Sequence, residues 1–353
     1  MFCGKMIFNR LARLFVFSIL APLAAGCGGS KGENKRLVGG GSSFIAPLMK
    51  KWSAVLGQTG FEIDYTSSGS GNGVQLMIDR KNVFGCTDAP MSKDQLTKAG
   101  GAEKVVHIPL AMGAVVPIYN LEKVSAPLNF TGEVLAGIYL GKVKKWNDPV
   151  LASINPGVSL PDLPIEIVYR ADGSGTSFIW TDYLSSVSAE WKGKAGVSTQ
   201  PKWPAPGQGA AKNPGVAQAV AGTPGAIGYV ELSYALENPS LRYGQVQNAE
   251  KSAFVKATLA SIVSAGASIK GIPDDLCFSL VSAPGKDSYP ICGTVWLVAF
   301  KDLPAADAAG LKKFLQWALA EGQSYSTALH YGKLPENLAS LAVKKAAAIQ
   351  PGR

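Results

Sequence analysis

The chain has 353 residues, 47% hydrophobic and 17% charged, enough for one or two globular domains with real cores. Its 40 Gly and 22 Pro are not periodic, so neither a collagen-like nor a disordered chain fits. The formal net charge is +9; three bases and no acid fall in the first 26 residues, leaving +6 on the rest, a mild excess that suits an anionic partner or solubility.

Residues 1–26 read as an export signal. Lys5, Arg10 and Arg13 form a positive leader, and the apolar run from Leu14 to Ala25 is too short to span a bilayer comfortably. The run ends in Leu23-Ala24-Ala25-Gly26-Cys27, which resembles a bacterial lipoprotein signal with Cys27 as the acylated residue. Its Leu stands one place early for that pattern, and an ordinary signal peptide cleaved near Gly26 is the alternative. Residues 27–36, rich in Gly and charge, then form a flexible tether.

Pro47 opens a helix carrying Leu48, Trp52, Val55 and Leu56 at helical spacing. Phe61, Ile63 and Tyr65 alternate with polar residues as in a half-buried strand. Val74, Met77 and Ile78 mark a second helix, with Arg80 and Lys81 expected in its last turn. Lys142, Lys144, Lys145 and Trp146 make a basic-aromatic cluster, which without an RNA-binding signature reads as a solvated surface turn. Ile165 to Tyr169 reads as a strand, and Ile179, Trp180, Tyr183, Leu184 and Val187 as the apolar side of a helix. Residues 199–215, rich in Pro and Gly, are expected as a surface excursion. Residues 305–347 are expected to be largely helical. Repeated strand-turn-helix order predicts an α/β fold with mostly parallel sheets.

Four polar turns are candidates for chemistry: 39–44, 67–73, 87–90 and 170–176. Three of them carry Gly and Ser and precede a predicted helix. A helix start offers unpaired N–H groups and the positive end of the dipole, and Gly lets an anion approach. A Ser before a helix is also an ordinary cap, so one such turn is weak evidence and three are stronger. Arg170 adds a full charge with a planar fork, and Asp172 two residues later is placed to hold that fork. No P-loop Lys and no nucleophile elbow is present, and neither His107 nor His330 sits in a catalytic or metal-ligating pattern. No catalytic residue, metal or cofactor is therefore expected. Cys277 and Cys292 close a short loop, and after export they are expected to form a disulfide, contributing roughly 3 kcal/mol. Cys86, in an apolar run, is expected as a buried free thiol.

Six segments carry a family pattern in order: 39–47, the Ser70 turn, 84–90, 137–146, 170–177 and 224–231. Together they resemble the phosphate-binding protein of the bacterial high-affinity phosphate ABC transporter, over nearly the whole chain after the signal. The resemblance implies a two-lobe periplasmic-binding-protein fold, with 37–112 plus 293–353 as one lobe and 113–292 as the other. It implies chain crossings near 112–116 and 292–296. It implies phosphate held by Ser43, Phe44, Ser70 and Asp88 from one lobe, and by Arg170, Ser174, Gly175 and Thr176 from the other. Ser43 stands where Thr is usual in that family, and the hydroxyl is kept. The implied partners are inorganic phosphate and the membrane permease of an ABC transporter. The signal and Cys27 add export and a lipid anchor, and the expected state is a monomer that does not bind nucleic acid.

Asp88 is out of place beside an anion unless the ligand brings a proton. Phosphate keeps at least one near neutral pH, and sulfate has none. A receptor for sulfate or molybdate, a secreted phosphohydrolase, and a sensor or adhesin on the same fold are the competing readings.

Overall fold

The computed structural model describes residues 36–352. The expected signal, Cys27 and all of the expected tether except Arg36 lie outside the described residues. Among the described residues no helix is long and apolar enough to cross a membrane.

The first lobe opens with β1 (Leu37–Gly41), α1 (Ala46–Gly57), β2 (Ile63–Ser67), α2 (Ser70–Ile78) and β3 (Phe84–Thr87). β1 lies between β2 and β3 and runs parallel to both. Parallel neighbours need crossovers, and α1 and α2 supply them. The apolar spacing read in α1 is its buried face: Leu48, Met49, Trp52 and Leu56. The Trp52 indole N–H donates to the Gly322 carbonyl (2.8 Å) and its ring meets Phe314 edge-on. α2 packs directly on β1. A Cβ at Gly73 would lie 2.3 Å from the Gly41 Cα, so only glycine allows that approach. α2 ends before the bases expected in its last turn. Arg80 takes a positive φ (56°) beyond the helix, and its guanidinium covers the Phe300 ring at 3.8 Å.

The chain continues through β4 (Val105–Tyr119), β5 (Glu166–Arg170), α3 (Gly175–Val187), β6 (Gln208–Ala210), α4 (Lys212–Gly222), β7 (Ala226–Glu231) and α5 (Leu232–Glu237). It returns through β8 (Leu280–Val281) and β9 (Ile291–Phe300), then α6 (Ala305–Ala318) and α7 (Glu336–Ala346). The strand order is β2-β1-β3-β9-β4-β7-β5-β6, with β8 on β9. β5 runs parallel to β7 and to β6. Every residue of β4 and of β9 is buried. β4 pairs antiparallel with β9 as far as Ala114, then with β7 from Val115. One strand thus serves both halves of a two-lobe α/β structure, changing partner between Ala114 and Val115. His107 lies on β4 and accepts from the Met91 N–H (3.1 Å); burial lowers its pKa to about 4, so it is a neutral structural residue as expected.

Three further expectations are corrected. Lys142 and Lys145 are exposed and paired with Glu190 and Asp162, but Trp146 is fully buried, its indole donating to the Gly225 carbonyl (2.8 Å). Residues 199–215 are not a simple excursion. They contain β6 and the start of α4, and Asn213 within them is fully buried. The Cys277–Cys292 disulfide is not formed: both thiols are free, as is the buried Cys86. The register explains why. Cys292 lies opposite Leu280, whereas the Trp296 indole donates to the Leu276 carbonyl, so Cys277 sits beside the far part of β9. Three strand residues separate the two thiols along β9, roughly 10 Å at about 3.3 Å per residue, beyond the span a disulfide bridges.

Alkylation of the unfolded, unreduced protein should therefore label Cys86, Cys277 and Cys292. A 277–292 disulfide-linked peptide in the digest would contradict the register.

Candidate functional site

In the first lobe β1, β2 and β3 are parallel, so their carboxyl ends share one edge. The backbone knits that edge together. The Gly41 carbonyl accepts from the N–H groups of Ser68 (2.9 Å) and Gly69 (2.8 Å), and the Cys86 carbonyl accepts from that of Ser42 (2.8 Å). Ser43, Ser70 and Asp88 follow the three strands in turn. In the second lobe β5, β6 and β7 do the same. Arg170 ends β5, Ser174 caps α3 by accepting from the Ser177 N–H (3.0 Å), and Gly175 and Thr176 open that helix. Ligands of open α/β sheets bind outside such carboxyl ends, and here the two edges face each other.

The edges touch through atoms close to the backbone. The Gly71 N–H donates to the Gly173 carbonyl (2.9 Å). A Cβ at Gly175 would lie 2.5 Å from Asp88 Oδ2, and one at Gly69 would lie 2.4 Å from Asp172 Oδ2. Lys212 Nζ donates to the Ser67 carbonyl (3.2 Å), and the Tyr234 hydroxyl to the Ser43 carbonyl (2.6 Å). The structure is thus a closed cleft.

Arg170 and Asp172 are paired as the sequence predicts. Nε donates to Oδ1 (2.7 Å) and Nη2 to Oδ2 (2.6 Å), leaving Nη1 to reach Thr176 Oγ1 (3.3 Å). The Arg170 side chain is 1% exposed. Burial pushes the Asp172 carboxyl up, but the Arg170 bonds and charge, with the Lys212 N–H, more than offset it and hold it below its ordinary range. The Arg170 N–H donates to the Tyr229 hydroxyl (3.3 Å), and Tyr229 stacks on Trp180 at 5.0 Å, which fixes the end of β5.

Asp88 is buried opposite them. Ser42 Oγ donates to Oδ1, while Oδ2 has no partner among the described residues. Burial raises its pKa to about 7, against the downward pull of Ser42, Arg170, Ser70 and Thr176. An acceptor in this setting is held among donors, at a pH where it readily exchanges a proton.

Ser43, Ser70, Asp88, Arg170, Ser174, Gly175 and Thr176 are all brought to the facing edges. Phe44 is there too, but its N–H donates to Ser42 Oγ (2.9 Å) inside its own lobe, and its ring packs against Tyr331. Ser42 joins the site beside Ser43, and two adjacent hydroxyls in one turn carry no sequence signal that tells them apart. Asn213 was missed for another reason. It stands at the carboxyl end of β6, a strand of three residues too short to register as a pattern. Pro214, followed by Val216 and Val220 one helical turn apart, was the available sign of a helix start.

A family model described as a PBP superfamily domain matches residues 28–321. The phosphate-binding protein PstS of Xylella fastidiosa (strain Temecula1) is 41% identical over 310 residues, covering 87% of this chain and 83% of that protein. The chain belongs to the PstS family. The PstS of Pasteurella multocida is 38% identical over 310 residues, covering 87% and 88%. The fold agrees with solved structures at lower identity. PfluDING, a high affinity periplasmic phosphate-binding protein solved with phosphate, superposes with a TM-score of 0.73 at 19% identity, covering 90% of this chain and 99% of that one. The phosphate-binding protein of Stenotrophomonas maltophilia gives 0.68 at 19% identity, covering 88% and 93%.

Glu231, at the end of β7, is a second buried acid near the cleft. Its Oε2 accepts from the Ser233 hydroxyl, the Ser233 N–H (3.0 Å) and the Tyr331 hydroxyl (3.2 Å), and Oε1 has no partner among the described residues. Burial raises its pKa to about 8, with the Ser233 and Tyr331 bonds pulling down and the Glu237 charge adding to the rise. A raised carboxyl favours folding fully below its unfolded value, and that contribution is lost as pH climbs through the folded one. Glu231→Gln should therefore raise the thermal midpoint at pH 9 and change it little at pH 5. Parallel pH profiles for the two proteins would refute the buried, proton-holding role.

Proposed function

We propose that this chain is an exported receptor that captures inorganic phosphate in a closing cleft and hands it to an ABC-type permease. The observation that carries this reading is Asp88 Oδ2, a buried acceptor without a partner among the described residues, in a ring of hydroxyl and guanidinium donors. Such a ring suits an oxyanion, and a lone acceptor within it suits one that still carries a proton. The names of the relatives, all phosphate-binding proteins, support the same ligand.

In this reading Ser43, Ser70, Ser174 and Thr176 donate hydroxyls, Gly175 and Phe44 donate N–H groups, and Arg170 donates from Nη1, the nitrogen that Asp172 leaves. Asp172 holds Arg170 without touching the anion. For Phe44 the bond to Ser42 Oγ gives way to the ligand. The lobes are 37–112 with 293–353, and 113–292, and closure brings their edges together around the anion. Phosphate has five heavy atoms, so a ceiling near 1.5 kcal/mol per atom puts binding at about the low-micromolar level, and charge-assisted bonds push it tighter.

Selectivity follows from the charge state of Asp88. Above about pH 7 it is an acceptor, which pairs with protonated phosphate and repels sulfate. Below that it holds a proton and donates to either anion. Calorimetric titration should show a large preference for phosphate over sulfate at pH 8 that narrows at pH 5. Asp88→Asn should cut the preference at pH 8 by about tenfold or more. Equal affinity of the unsubstituted protein for both anions at pH 8 would sink the assignment.

Anchoring rests on Cys27 and the segment before it. Cells fed labelled fatty acid should incorporate it into this protein, and Cys27→Ala should abolish that while leaving export intact. Labelling of the Cys27→Ala protein would place the acyl group elsewhere. The receptor acts as a monomer, and the permease is the partner that its transport role requires.

A further inference from the structure

Asn213 was not among the residues expected at the anion, and it does not complete the ring of donors. It is fully buried between the lobes, and every polar atom it can offer is engaged. Its own N–H donates to Ser43 Oγ (3.2 Å). Its side-chain Nδ2 donates both to Ser43 Oγ (3.1 Å) and to Thr176 Oγ1 (3.2 Å). Its Oδ1 accepts from the Glu231 N–H (3.1 Å).

The last bond fixes the orientation of the amide. A backbone N–H can only donate, so the atom facing Glu231 must be the oxygen, and the NH2 must face the two hydroxyls. A hydroxyl has two lone pairs and one proton. Ser43 Oγ accepts twice from Asn213. Thr176 Oγ1 accepts once from Asn213 and once from Arg170 Nη1 (3.3 Å). Both sets of lone pairs are filled, and each hydroxyl keeps only its proton to give.

We infer that Asn213 is a positioning and specificity-determining residue. It fixes the polarity of two hydroxyls, one from each lobe, so that neither can accept from the bound oxyanion. A freely rotating hydroxyl would accept from a protonated anion oxygen as readily as it donates. With Ser43 and Thr176 held as donors, the protonated oxygen is directed to Asp88. Because Asn213 and Thr176 belong to the second lobe and Ser43 to the first, the Thr176 polarity is set within its own lobe and the Ser43 polarity only when the cleft is shut. The inference rests on the anion-binding reading above and adds to it a residue that acts through others.

The test is calorimetry with inorganic phosphate at pH 8. Asn213→Ala should weaken binding by about tenfold, the scale of a lost bond or two. In a Ser43→Ala, Thr176→Val background the same change should cost less than about twofold, because no hydroxyl is left to orient. A strut with no role in polarity would cost the same in both backgrounds, and that result would overturn the inference. Asn213→Asp keeps the shape and reverses the polarity, and it carries the test if the alanine variant does not fold. It should lose more affinity than Asn213→Ala while its thermal midpoint stays closer to that of the unsubstituted protein; a smaller loss than for alanine also overturns the inference. If the unsubstituted protein does not bind phosphate, the receptor reading fails. If it binds and the Asn213 variants match it, only this inference fails.

Discussion

The pairing of β4 with β9, and then with β7, is the constraint on which the rest depends. It joins two sets of parallel strands through strands that are buried along their whole length. Parallel strands present their carboxyl ends together. Joining two such sets through an antiparallel pair turns those ends toward each other rather than away. The site is therefore a product of topology before it is a product of side chains. Six strand ends deliver Ser43, Ser70, Asp88, Arg170, Asn213 and Glu231 to one seam.

Within that seam the electrostatics are arranged by pairing positive with negative in layers. Arg170 is buried, but Asp172 neutralises two of its nitrogens and leaves the third pointing inward. Asp88 is buried with one oxygen satisfied by Ser42 and the other not. An isolated buried charge would be costly; here each charge is partly satisfied by its own lobe, Arg170 by Asp172 and Thr176 and Asp88 by Ser42, and Asp88 Oδ2 is left without a partner among the described residues. That division is what makes closure around an anion favourable in the proposed function.

Much of this was legible in the sequence because the chemistry is local. Arg170 and Asp172 lie two residues apart, and Ser174, Gly175 and Thr176 follow at once, so one stretch carries half the site. The helices α1 and α3 announce themselves through apolar spacing. What was not legible depends on register over long separations. Asn213 reaches Ser43 across 170 positions of chain. Its strand has three residues, and its surroundings are rich in Pro and Gly, which normally mark a loop. The cysteines misled for a related reason. Proximity in sequence suggested a bond between Cys277 and Cys292, while the pairing of β8 with β9 carries them apart.

One stretch of the seam is surfaced by glycine. Gly69, Gly71, Gly173 and Gly175 bring main chain within reach of main chain or of a fixed carboxylate. Meeting faces of this kind have almost no rotamers to freeze. Along that stretch closure freezes little, whereas the side chains of Lys212, Asn213 and Tyr234 must let go of Ser67 and Ser43 when the cleft reopens. A receptor that must release its cargo as well as seize it is served by a joint of both kinds, one part closing at little cost in order and the other reopening by breaking a few hydrogen bonds.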